Sequence, residues 1–151
     1  MTSTAAIHLR AEDEDDLIVL SGLVQDMVAR VGDMAFVPAA RRFVIMGQRF
    51  RWEAVANPPA SRIRSALRAE GVKKVRAKGF DPFESALVLN LLNIKSTPSA
   101  DGDATDSQTI DFLFSEDRSI RLETEMLDLW LEDMGDPYPA VATPNHGIAG
   151  N

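Results

Sequence analysis

From Asp13 to Gln25 the apolar residues return every three to four positions. Leu17, Leu20 and Val24 lie at helical spacing, with Ile18 and Leu23 beside them. The acids Glu12 to Asp16 stand at the start of this stretch, where the positive end of a helix dipole favours negative charge. The pattern predicts one helix over residues 13–25, weakened slightly by Gly22.

Beyond Gln25 the period shortens towards two. Met27–Val31 and Met34–Val37 are short apolar runs separated by Gly32-Asp33, which reads as a bulge or turn. Pro38 to Arg41 fits a tight connection, and Arg42–Trp52 then alternates like the second strand of a hairpin. Within it Val44, Met46, Phe50 and Trp52 share one parity, while Phe43, Ile45, Gly47, Arg49 and Arg51 share the other. On that alternation Phe50 and Trp52 face the core and Arg49 and Arg51 face out. Gly47 marks either a bulge or a close approach of another backbone.

Asn57-Pro58-Pro59-Ala60 is a break no central strand tolerates. After it Ser61–Ala69 and Val72–Lys78 read as extended runs with their cations on one parity, and Phe80-Asp81-Pro82 as a loop. Ala86–Ser96, apolar on both parities, is expected to be a central strand. Ser99–Ser107 is a polar loop, and Ile110–Phe114 with Ile120–Leu122 is a second hairpin. Residues 123–134 fit both periods; the favoured reading continues the strand from Ile120 until Gly135-Asp136-Pro137 stops it. Trp52 and Trp130 are expected as core anchors.

These elements make an α+β, mainly β, fold. An N-terminal helix packs on a twisted antiparallel sheet of six or seven strands, with a curled pleckstrin-homology-like sheet or barrel as one form of it. Residues 1–138 are expected to be a single globular domain, with 139–151 a flexible C-terminal tail.

At 151 residues, with 45% hydrophobic content, the chain can bury a core of ordinary size. It has no cysteine, which excludes disulfides, thiol catalysis and cysteine-ligated metal. The first residues lack a basic n-region and run into five acids, and no apolar run approaches the ~20 residues of a membrane span. A soluble, cytoplasmic protein without membrane contact is expected.

Charge changes the picture most. Eleven of the sixteen basic residues lie between Arg41 and Lys78, with only Glu53 and Glu70 among them. That segment carries a formal +9 and the rest −16, so a net charge of −7 conceals strong polarity.

Several phrases in the chain are specific. They are Leu-Val-Gln-Asp at 23–26, Val-Gly-Asp at 31–33, Arg-Arg-Phe at 41–43 and Arg-Phe-Arg-Trp-Glu at 49–53. Downstream come Arg-Ser-Ala-Leu-Arg at 64–68, Ile-Arg-Leu-Glu at 120–123 and Leu-Glu-Asp-Met-Gly at 131–135. Together they resemble a bacterial family of small proteins, domain of unknown function 2948, over roughly Leu9 to Tyr138. The resemblance implies a single-domain protein and supplies no catalytic residue, cofactor or ligand.

The candidate binding face is therefore read from charge: Arg49, Arg51, Arg62, Arg64, Arg68, Lys73, Lys74 and Arg76. The plainest account of these residues is internal pairing, with basic strands lying beside acidic ones such as 120–132. Each cross-strand pair of opposite charges then contributes only ~0.2–1 kcal/mol. The functional account is a protein-interaction or accessory module. Its basic face would meet an acidic protein surface or a second copy of the chain. Nucleic acid or a phosphate ligand is an alternative, made less apt by a pI near 4.8 and few aromatic platforms. A small enzyme whose arginines and aspartates converge only in three dimensions is another.

No catalytic residue, cofactor or metal site is expected. His8 and His146 lie near the ends, and the runs Glu12–Asp16 and Asp101–Asp106 lack the spacing of a calcium loop. Glu123 and Glu125 read as a solvated strand face.

Overall fold

In the computed structural model, which describes residues 6–99 and 107–141, one helix accompanies ten strands. The helix α1 (Glu14–Leu23) begins where Asp13 turns its carboxylate back to accept the Asp16 backbone N–H at 2.8 Å. Asp13 thereby satisfies one of the N–H groups left open at a helix start. Leu17, Leu20 and Val24 bury; Ile18 and Val19 stay exposed.

The strands are β1 (His8–Ala11), β2 (Val28–Arg30), β3 (Met34–Val37), β4 (Arg42–Phe50) and β5 (Ser61–Glu70). Then follow β6 (Val72–Lys78), β7 (Val88–Pro98), β8 (Gln108–Phe114), β9 (Arg118–Thr124) and β10 (Leu129–Pro139). All pairings are antiparallel. The order across the sheet is β1-β10-β5-β4-β2-β7-β8-β9-β6, with β3 beside β4.

The sheet is thus larger than the six or seven strands expected, and it is not closed into a barrel. β1 carries no clear signal in the sequence, because four residues of alternation are too few to stand out. β2 and β3 are separated by a single 3-10 turn at Val31–Asp33, and both lie against β4.

Two neighbouring corners fold the sheet over. At Gly71, whose φ of 70° suits glycine, β5 turns into β6. Beside it residues 125–128 turn β9 into β10, and Glu125 N–H donates to the Gly71 carbonyl at 2.9 Å. Since β5 pairs with β10 and β6 with β9, the two long strands bend together. The inner faces then meet around one core, in which Phe43 and Phe112 come from opposite halves with ring centroids 6.1 Å apart.

The strand reading of 123–134 holds for β10 but not across the corner. Gly135 does not stop the element. With φ of 72° it belongs to a register shift between Met134 and Tyr138, after which β10 runs on to Pro139 and Ala140 N–H reaches the Ala60 carbonyl. Pro139 and Ala140, the first residues of the expected tail, are thus held against β5 and the residue before it. The rest of that tail from 142 on, like most of the polar loop 99–107, lies outside the described residues.

The parity of β4 is the reverse of that expected. Phe43, Ile45, Gly47 and Arg49 point into the core, while Val44, Met46 and Gln48 are only half-buried on the outer side. Phe50 is buried too, but from the outer side, edge-on to Trp52. Neither tryptophan is fully buried. Trp130 stands on the outer face, flanked by the guanidinium groups of Arg10 and Arg68 at 4.8 Å each.

Gly47 marks a close approach. A Cβ there would lie 2.5 Å from the Val28 carbonyl oxygen, where β2 crosses β4. Gly47→Ala is expected to lower stability by ~1–3 kcal/mol, as overpacking does. Urea unfolding measures this, and an unchanged midpoint would show that β2 can move away freely.

Candidate binding face

Arg49 and Arg51 belong to no face. The Arg49 side chain is fully buried at the end of the inner row of β4. Its Nε and Nη2 donate to the two Asp133 oxygens at 2.7 and 2.6 Å, while Nη1 and Nη2 donate to Glu53 at 2.9 and 2.7 Å. Asp133 further accepts from Ser65 Oγ at 2.7 Å and from Ile7 N–H at 2.9 Å. Arg51, also buried, donates to Ser61 Oγ at 3.0 Å and lies 3.8 Å from Glu53.

Burial opposes the charge on Arg49, but its hydrogen bonds with Asp133 and Glu53 outweigh that and hold its pKa above the ordinary value. Burial likewise opposes ionisation of Asp133. The donors Arg49, Ile7 N–H and Ser65 prevail and keep its pKa low. Glu53 is lowered against burial chiefly by Arg49. Strand alternation could not foresee this cluster, because a cation on an inward parity is normally read as evidence that the parity faces out.

The remaining cations separate at the Gly71 corner. On the outer face of β5, Arg68 reaches Glu70 at 2.5 Å and Glu132 at 3.2 Å. Arg62 donates to the carbonyls of Asp26 and Gln48 at 3.2 Å and lies over the Phe50 ring. Arg64 is exposed opposite Gln48 and Met134. Arg42, outside the candidate set, pairs with Glu70 at 2.8 Å. Internal pairing thus accounts for Arg49 and Arg68 and for much of Arg51 and Arg62.

β6 differs. A register shift sets Lys73 apart, while Lys74, Arg76 and Lys78 are exposed along the outer side. The antiparallel register continues this side across β9, β8 and β7 in three rows. One row holds Lys74, Glu123, Thr109 and Thr97; the next holds Arg76, Arg121, Asp111 and Lys95; the last holds Lys78, Ser119, Leu113 and Asn93.

Arg121 and Lys95 therefore complete a face that sequence reading built from residues 41–78 alone. The alternation of Arg121 with buried Ile120 and Leu122 does mark it as outward, but nothing local shows that β9 lies against β6. Arg121 is bidentate to Asp111 at 2.8 and 3.2 Å, and Arg76 lies 3.5 Å from Glu123. A concavity of about 420 Å³ opens between Arg76, Lys78, Leu113, Ser119 and Arg121. Ammonium and guanidinium groups so placed can hold carboxylate or phosphate oxygens.

His8 is exposed on β1 and His146 lies outside the described residues. Among the described residues no three acidic or histidine side chains gather in a way that could hold a metal ion, and no helix is long and apolar enough to cross a membrane.

A family model described as Protein of unknown function (DUF2948) matches residues 7–146, and the chain belongs to that family. No curated protein and no solved structure matches it.

The Arg49 cluster carries a pH dependence. Asp133 and Glu53 have folded pKa values below their unfolded ones, so their contribution is fully present above about pH 4.5 and is lost as pH falls through the folded values. Asp133→Asn is expected to cost about 3 kcal/mol at neutral pH, by stripping a buried guanidinium of a partner. It should also flatten the decline in acid. Urea midpoints from pH 7 down to pH 2.5 measure both, and an equally steep acid decline in the variant would place the sensitivity elsewhere.

Proposed function

We propose that this chain is a protein-interaction module without catalysis of its own, which meets an acidic protein surface through the outer face of β6, β9, β8 and β7. The observation that carries the reading is the charge count on that face. Lys74, Arg76, Lys78, Arg121 and Lys95 project from it, and among its outward positions only Asp111 and Glu123 answer them. Charges of this kind, set around a shallow surface, act mainly on association rate and salt sensitivity.

Two observations weigh against the rival readings. No aromatic side chain occupies an outward position in the three rows, so a nucleic-acid strand would find no stacking platform. Arg49 and Asp133 do converge in three dimensions, as an arginine–aspartate catalytic pocket would require. Yet Arg49 is fully buried with its guanidinium nitrogens taken by Asp133 and Glu53, which favours a structural role over substrate binding.

The test is capture from native lysate, before and after nuclease, on wild type and on the triple variant Lys74→Glu, Arg76→Glu, Lys78→Glu. An acidic protein retained through nuclease treatment, eluted by salt and lost in the variant is the expected result. Material that disappears with nuclease would transfer the face to nucleic acid. Equal recovery on both proteins would leave these cations as solvated charge.

A further inference from the structure

β7 has one guarded and one open edge. From Leu91 to Pro98 it pairs with β8 on one side. On the other side β2 covers only Val88 to Asn90, with Leu91 reached by Asp26 and Met27. Beyond that point the neighbour is not a strand but α1. Ser21 Oγ accepts the Ile94 N–H at 3.0 Å, which shows that the backbone groups of Ile94 point towards the helix. A strand repeats every two residues, so those of Ser96 point the same way. Among the described residues no strand pairs with that side.

A groove of about 690 Å³ runs between this edge and the helix, floored by Leu92–Thr97 and walled by Glu14, Leu17, Ile18 and Gly22. It continues past Glu14 and Ser96 into a second hollow of about 380 Å³, bounded by Glu12, Asp13, Pro98 and Met126. The wall is apolar where Ile18 stands 64% exposed and Leu92 39% exposed. It becomes acidic at Glu12, Asp13 and Glu14, although Arg10 lies 3.4 Å from Glu12 and Asp13 is engaged as the helix cap.

Gly22 adds an independent observation. A glycine weakens a helix relative to alanine. Here its φ is not positive, and among the described residues nothing lies within 4 Å of the position its Cβ would take. Neither backbone conformation nor packing inside the chain calls for glycine at this position. Its effect is to keep the groove wide.

We infer that this groove receives an extended peptide of a partner protein, which adds as a strand to the open edge of β7. The peptide would take the Ser96 N–H and give N–H groups to the Ile94 and Ser96 carbonyls. It would lay an apolar side chain against Ile18 and Leu92 and set a lysine or arginine at the Glu12–Glu14 end. Main-chain pairing supplies affinity in this mode and alternate side chains supply choice. The acidic end of the groove selects a basic residue there, opposite in sign to the partner proposed for the β6 face. Lys95 lines the groove as well as that face, so Lys74 and Arg76, which lie outside the groove, are the residues that separate the two sites.

The probe is a phage-displayed library of random dodecapeptides, panned on the full chain. Enriched sequences are then synthesised with a fluorophore and titrated by anisotropy. The expected selection alternates apolar and polar residues and carries a lysine or arginine towards one end. Gly22→Phe, whose Cβ meets none of the described atoms within 4 Å, puts a ring into the groove and should weaken binding by about tenfold or more. Ser96→Pro, which removes the N–H facing the groove, should do the same. Lys74→Glu with Arg76→Glu should leave binding unchanged. Thermal unfolding of Gly22→Phe at or above the wild-type midpoint establishes that the fold is intact. Failure to enrich any such family overturns the inference. So do peptides that bind Gly22→Phe as tightly as wild type, or that depend on Lys74 and Arg76.

Discussion

The guanidinium of Arg49 ties together, by side-chain bonds, parts of the chain that meet at that end of the core. Through Asp133 it joins β4 to β10, and through the same carboxylate it engages Ser65 of β5 and the backbone of Ile7 just before β1. Through Glu53 it fixes the turn that follows β4. A buried ion pair is weak evidence for net stability, since apolar residues of the same size often do as well. Its directional bonds do something apolar contacts cannot. A one-residue slip of β10 against β5 would carry Asp133 to the outer face and leave a cation buried with half its partners gone. Register across three strands is thereby tied to one side chain.

That arrangement also explains why a strongly basic segment yields only a modestly basic face. Between Arg41 and Lys78 the chain runs through β4 and β5 and turns the Gly71 corner into β6, so its eleven cations are distributed over an interior, one outer face and then another. The acids of residues 111–133 come back alongside them through β8, β9 and β10. Polarity along the sequence becomes alternation in space. What remains unbalanced is the stretch of β6, where Arg76 faces Arg121 across the ladder.

Much of the fold was legible because local patterns decide it. The acidic N-cap and the leucines of α1, the turn before β4 and the hairpin of β8 and β9 all follow from residues near one another in sequence. The inward parity of β4 was not legible, because Phe43 and Ile45 compete with Phe50 and Trp52 for the core and only Asp133, distant in sequence, settles the contest. The outward place of Trp130 was not legible for a similar reason: cations on both neighbouring strands hold it on the outer face. Of the candidate site, Lys74 and Arg76 could be named from composition. Arg121 and Lys95 could not, since they join the face only through a strand order that no local signal encodes.

The central position of β10 has a bearing on how the protein is made. It lies between β1, which precedes the other described strands in the chain, and β5. On the ribosome β1 therefore waits unpaired, and one edge of β5 stays open, until β10 has emerged. Pairings of such long sequence separation form slowly, and open edges invite foreign strands meanwhile. Until then the nascent chain holds an incomplete sheet, which becomes one structure only when β10 enters between two strands that were waiting for it.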